Sequence, residues 1–163
     1  MAIRELRYEG DPILKKRSRE IEVIDDRIKI LAEDMFDTMH KWDGLGLAAV
    51  QVGILKRIIV IDLYDDVSKF CLINPEIVEI SDETAEIEEG CLSYPNQFGK
   101  VVRAVKVKVR ALDLDGKRVT LEAEGLLAQA LQHEIDHLEG DTFMEKIVPG
   151  TFQVVTPEGD EKK

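Results

Sequence analysis

Apolar residues along this chain recur in two rhythms. From Asp26 to Lys41, Ile28, Leu31, Ala32, Met35, Phe36 and Met39 fall three or four apart, which places them on one face of a helix. Asp25 or Asp26 supplies an N-cap, and Asp43-Gly44 ends the run. A second helix is predicted over residues 126–138, opened by Gly125 and closed by Gly140. Its apolar positions, Leu126, Leu127, Ala130, Leu131, Ile135 and Leu138, cover so wide an arc that the helix should be packed inside the protein.

Between the helices the period shortens. Residues 57–63 read as a buried strand, residues 70–75 and 76–80 as a second one broken by Pro75, and residues 84–88 as a short third. Residues 100–112 carry the strongest strand signal, with Val101, Val105, Val107 and Val109 set against Lys106, Lys108 and Arg110. Asp113-Leu114-Asp115-Gly116 makes a turn, and residues 118–123 return as the second arm of a hairpin. Residues 151–155 form a short strand-like run, and the polar stretch 156–163 is expected to be a flexible tail. Strands dominate ahead of a buried C-terminal helix. The fold class is therefore α+β, with mostly antiparallel sheets around that helix, in one domain spanning residues 1–163.

Composition narrows the function. The formal net charge of −11 argues against nucleic-acid binding, which relies on Lys and Arg to neutralise phosphate. Lys15-Lys16-Arg17 and the 100–110 stretch are the basic concentrations, and the first reads as a solvated face. No apolar run approaches the ~18 residues that span a membrane, and the N-terminus lacks the apolar segment of a signal peptide. A cytoplasmic protein without membrane contact is expected. Cys71 and Cys91 make no disulfide framework, and a reducing compartment would keep both as thiols.

The chemistry is concentrated in the second helix. Gln132-His133-Glu134-Ile135-Asp136-His137 sets two histidines four apart, one above the other on a helix face, with a glutamate beside the first. Two imidazoles so placed can grip one metal ion while the glutamate handles the proton of a water, a plan for metal-assisted hydrolysis. The bland alternative is a chance H-E-x-x-H on a solvated face; the apolar setting argues against it, because buried polar groups need partners. A catalytic site takes three protein ligands. Cys91, Cys71, His40 and a carboxylate are the candidates for the third. Cys91 sits in a constrained Glu89-Gly90-Cys91-Leu92-Ser93-Tyr94-Pro95 turn, Cys71 reads as an inert core thiol, and His40 reads as a surface or C-cap residue.

Three segments together resemble a known family. Gly44-Leu45-Gly46-Leu47-Ala48-Ala49-Val50-Gln51, Glu89-Gly90-Cys91-Leu92-Ser93 and the Gln132–His137 segment resemble, in order, the signature motifs of bacterial peptide deformylase, over about Ile3 to Ile147. The resemblance implies that Cys91, His133 and His137 hold one divalent metal, iron(II) first, with nickel, cobalt or zinc as substitutes. It implies Glu134 as general base and acid, and Gln51 and the Leu92 backbone N–H as oxyanion donors. The implied reaction removes formyl from the N-terminal formyl-methionine of nascent polypeptides, with transient ribosome contact. The segments around Leu45-Gly46 and Glu89-Gly90 would flank a groove and pair with the substrate backbone. Leu45, Ile87, Leu126 and Ala130 are candidates for the methionine pocket, with Gln129 a further wall; ordinary core is the plainer reading of Ile87 and Leu126.

Glu89 and Arg103 are an expected ion pair orienting the Cys91 loop, and Asp136 is open between a ligand histidine and solvent. The chain departs from the family at two points. Many members carry an arginine in the position of Phe98, and many end in a long amphipathic helix used in some for ribosome docking, whereas the residues after Gly140 read as strand and tail. The rival readings are an H-E-x-x-H metallopeptidase, which would not need Cys91, and a non-catalytic metal-binding domain with Cys71 as fourth ligand. A Cys91 nucleophile with a histidine base would act without metal.

Overall fold

The computed structural model describes residues 2–155. Asp25 caps the first helix, α1 (Asp26–Lys41), its side chain accepting the Ile28 N–H at 3.1 Å. The apolar face that the periodicity picks out is the buried one: Ile28, Leu31, Ala32, Met35 and Met39. The chain then forms β1 (Gly46–Ala48), a 3-10 turn over Ala49–Val52 and β2 (Ile58–Asp62). Next come β3 (Lys69–Ile80), β4 (Thr84–Cys91), β5 (Tyr94–Ala104), β6 (Lys106–Leu112) and β7 (Arg118–Glu124). The second helix, α2 (Gly125–Leu138), is followed by a 3-10 turn over Phe143–Lys146 and the two-residue β8 (Gln153–Val154).

The strands form two antiparallel sheets, ordered β1-β2-β3-β6-β7 and β4-β5-β8. The larger sheet lies between the helices. Ile58 and Val60 of β2 join Met35 and Met39 of α1 in one apolar cluster, while Ile59 and Ile61 join Leu131, Ile135 and Leu138 of α2 in another. Burial on both faces explains why β2 reads as an unbroken apolar run. The α+β class with an inner C-terminal helix is borne out.

Several element boundaries differ from the sequence reading, among them the start of β5, at Tyr94 rather than residue 100. Residues 100–112 are not one strand: β5 ends at Ala104 in the small sheet, and β6 begins at Lys106 in the large one. The cause is tertiary. Gln132 of α2 accepts the Ala104 N–H (3.1 Å) and donates to the Ala104 carbonyl (2.9 Å), taking both groups a continuing ladder would have used. Residues 69–80 form one strand despite Pro75, because the β3–β6 register shifts between Ile73 and Glu76, where a missing N–H costs no ladder bond. Asn74 takes the left-handed conformation there (φ 51°), and its side chain bonds both the N–H and the C=O of Ile21. β4 runs beyond Glu88 to Cys91, carrying the thiol to the end of a strand. The expected tail, 156–163, lies outside the described residues.

Candidate active site

α2 presents its polar residues inward. His133, Glu134 and His137 are all buried, and the two imidazoles stand edge to face with centroids 5.1 Å apart. Cys91 reaches them from the end of β4, its sulfur 3.4 Å from His137 Nε2. The Cys91 sulfur and one nitrogen from each histidine lie within 4.8 Å of one another. His133 Nδ1 is bonded to Glu89 Oε1 at 2.8 Å, so Nε2 is the nitrogen left for a ligand, the usual arrangement behind a metal-binding histidine. His137 Nδ1 is buried without a partner among the described residues. One thiolate and two imidazoles suit iron(II), nickel, cobalt or zinc, so the donor set fits the expected ion without selecting it. Cys71 and His40 are not in the cluster. Cys71 packs with the α1 face of the sheet, where burial pushes its thiol up to about 12. His40 bonds Asp62 at 2.8 Å. No described fourth donor closes the site.

Glu89 is the hub behind the histidine. Arg103 donates to it twice, Nε to Oε2 at 2.6 Å and Nη2 to Oε1 at 2.8 Å, and both side chains are 3% exposed. Burial works against the Glu89 carboxylate, but Arg103 and His133 outweigh it and hold the pKa down at about 2. Arg103 Nη1 also donates to Asp136 (2.7 Å), which Lys146 contacts at 3.0 Å. Asp136 therefore serves Arg103 rather than a ligand histidine. Phe143 closes the far side, its ring tilted against His133 with centroids 5.8 Å apart. Sequence reasoning did not single out Phe143 or Ser93; the only signals were an aromatic shortly after the helix and a serine within a motif.

Glu134 lies next to the donors. Burial raises its carboxyl to about 7, against the pull of His133, and its Oε1 has no partner among the described residues. Oε2 lies so near Gly46 that a Cβ there would come within 2.7 Å. Gln51 is aimed by the backbone: its Oε1 accepts the Ala48 N–H (2.9 Å), which turns the amide nitrogen toward Ser93 Oγ (3.1 Å) and the Cys91 sulfur (3.4 Å).

A cavity of about 730 Å³ opens over this cluster. Leu45, Gly46, Gln51, Glu89, Gly90, Leu92, Leu126 and Ala130 line it, as do Gln129 and Phe98. Ile87 is not among the lining residues; it is half-buried opposite Val101. A second cavity of about 800 Å³, between residues 19–25 and 53–56, holds none of this chemistry. The active-site cavity lies between two strand edges. β1 and β4 each end their sheet, so one side of each is unpaired. The Asp62 N–H bonds the Leu45 carbonyl, so by ladder alternation the N–H and C=O of Gly46 point away from β2. Lys100 uses its carbonyl on Val148, so its opposite residue, Glu88, and likewise Gly90 direct their backbone groups away from β5. Gln129 Nε2 already donates to the Glu88 carbonyl from that side (3.0 Å).

The polypeptide deformylase family model matches residues 3–153. The chain belongs to this family. The match covers every element above except Val154, the last residue of β8. Among relatives, a peptide deformylase of Natranaerobius thermophilus is 52% identical over 146 residues, covering 90% of this chain and 93% of that one. Peptide deformylase 1 of Clostridium perfringens is 53% identical over 145 residues, covering 89% and 98%. The crystal structure of peptide deformylase from Thermotoga maritima superposes with a TM-score of 0.88 at 41% identity, covering 91% of this chain and all of that one. The Ehrlichia chaffeensis peptide deformylase, solved in complex with actinonin, gives 0.86 at 42% identity, covering 91% of each. Polypeptide deformylases are metal-dependent enzymes, and the Cys91–His133–His137 cluster is the metal-competent group of this member. No described helix of this deformylase is long and apolar enough to cross a membrane.

Proposed function

We propose that this chain hydrolyses the formyl group from the N-terminal formyl-methionine of newly made polypeptides, releasing formate. The observation that carries the reading is the open three-donor cluster with Glu134 beside it, set in a groove between two unpaired strand edges. Cys91, His133 and His137 would hold one divalent ion, which we assign as iron(II), with nickel, cobalt or zinc able to substitute. Bound there, the ion supplies Lewis acidity to the formyl oxygen and to a water.

The chain's own residues do the rest. Glu134, with a pKa near neutrality, takes the proton of the attacking water and returns it to the departing amine nitrogen. The C–N bond of the formamide breaks as the new C–O bond forms, leaving formate and a free N-terminus. Gln51 Nε2 and the Leu92 N–H would be the donors for the developing oxyanion. Glu89 and Arg103 hold His133 in one tautomer and orientation. The substrate lies extended between Gly46 and Glu88–Gly90, adding a strand to both edges, so backbone bonds supply affinity for many sequences. Its methionine enters the apolar recess of Leu45, Leu126, Ala130 and Gln129.

Nascent polypeptides are thus the partners, with transient contact at the ribosome in the cytoplasm. The described residues after α2 hold a 3-10 turn and β8. A closed structural site has no described fourth ligand to support it, and no observation favours an internal peptidase.

The test is formate release from a formyl-Met-peptide by iron-loaded protein prepared without oxygen. Release should stop with a chelator, and Glu134→Ala should lose about 10²- to 10⁴-fold in kcat while keeping its metal. No release from folded, metal-loaded protein would overturn the reading.

A further inference from the structure

The Gly46 rim is held from outside the groove by residues that have no place in the chemistry above. Gly44, two positions before Gly46, donates its N–H to the Met39 carbonyl at the end of α1 (2.9 Å), and its carbonyl accepts the Tyr64 hydroxyl (2.8 Å). The Leu45 carbonyl accepts the Asp62 N–H at 3.0 Å. Asp62 in turn accepts the Tyr64 N–H on Oδ1 (2.8 Å) and meets His40 Nε2 on Oδ2 (2.8 Å). The His40 ring lies between Phe36, at 6.0 Å, and Tyr64, at 5.7 Å. The turn after β2 is thereby fastened both to α1 and to the segment leading into β1.

The backbone here is also costly to build. Five described non-glycine residues take the left-handed conformation, and three of them, Asp43 (φ 55°), Tyr64 (φ 58°) and Asp66 (φ 68°), belong to these two facing segments. Such residues are uncommon and persist where the surroundings over-determine them, often beside a functional site. Tyr64 is 53% exposed, so apolar burial is a poor reason for its placement. Its hydroxyl is spent on one carbonyl of the groove's rim.

We propose that Tyr64, held by Asp62 and His40, is a positioning residue for the substrate. It fixes residues 44–46 so that the Gly46 N–H and C=O face the peptide at pairing distance. It touches no reacting atom and acts through the rim. The proposal rests on the deformylase reading and names a determinant of how that reaction recognises a chain rather than a formyl-amino acid.

The experiment compares formyl-Met-Ala-Ser with N-formylmethionine, which has no further residue to lie along the rim, on metal-loaded Tyr64→Phe protein. KM for the tripeptide should rise about three- to tenfold, the reach of one hydrogen bond, with kcat within about twofold. The ratio of kcat/KM for the tripeptide to that for N-formylmethionine should fall accordingly, and amide exchange at Gly46 should quicken. Asp62→Asn provides a second variant and should shift the ratio in the same direction. An unchanged ratio in both variants overturns the proposal, as does an equal loss on both substrates, which marks a general structural role. Wild-type protein that releases no formate from either substrate overturns the deformylase reading and this inference with it; wild-type release with an unchanged variant ratio overturns the inference alone.

Discussion

Gly46 illustrates how much one missing side chain contributes. Its backbone is both the rim of the groove and the wall against which Glu134 rests, and a Cβ would lie 2.7 Å from Oε2 and 2.9 Å from Cγ of that glutamate. Gly46→Ala should therefore displace the carboxylate without touching the metal donors. The expected result is a loss of about a hundredfold in kcat, as for a misplacement of ~1 Å, with metal content by elemental analysis unchanged. At this scale the site was legible in the sequence. His133 and His137 are i and i+4 on one helix, and Glu134, the proposed general base, directly follows the first of them. Cys91 was legible only as one candidate among several until the family motif named it, because the forty-odd residues separating it from His133 carry no spacing rule. Ile87 shares a face of β4 with Glu89 but is not among the residues lining the cavity, and alternation alone does not separate the two.

At the scale of elements, periodicity found both helices and β2 and β7 within a residue or so, and the end of β6 but not its start. It failed at the junction of β5 and β6. Val102 is half exposed while Arg103 is buried against Glu89, so the apolar pattern does not report the inward face there. The break itself depends on Gln132, a residue far along the chain, and nothing local announces it. Gln132→Ala would leave the buried N–H and C=O of Ala104 unpaired. The expected cost is about 1–3 kcal/mol, read as a lower denaturant midpoint with an unchanged m-value.

For the molecule as a whole, the net charge and the placement of buried carboxylates decide its behaviour in acid. Asp34 ties residues 2–4 to α1, accepting the Ala2 N–H at 2.7 Å and an ion pair from Arg4 at 2.9 Å. Burial works against its carboxylate, but those donors outweigh it and hold the pKa below the ordinary value. In the window between the depressed folded value and the unfolded value of about 3.9, the unfolded chain binds more protons. The stabilisation from Asp34 is thus fully present above that window and is lost as pH falls through the folded pKa. Asp34→Asn should be less stable than the parent near neutrality, and thermal melts in increasingly acid buffers should show the gap narrowing. The overall architecture was readable as α+β from the order of rhythms, whereas the division into two sheets was not, since the chain changes sheets over residues 81–83 and again at Val105.

The two unpaired strand edges also set a deadline. A groove that recognises a chain by completing a sheet can accept only a start that is still extended and has no partners of its own. Polypeptides emerge at roughly 5–20 residues per second, and their first residues soon acquire such partners. On this reading the reaction competes with the folding of its own substrate. A protein whose first strand or helix docks early has a short interval for processing, and one whose N-terminus stays loose has a long one.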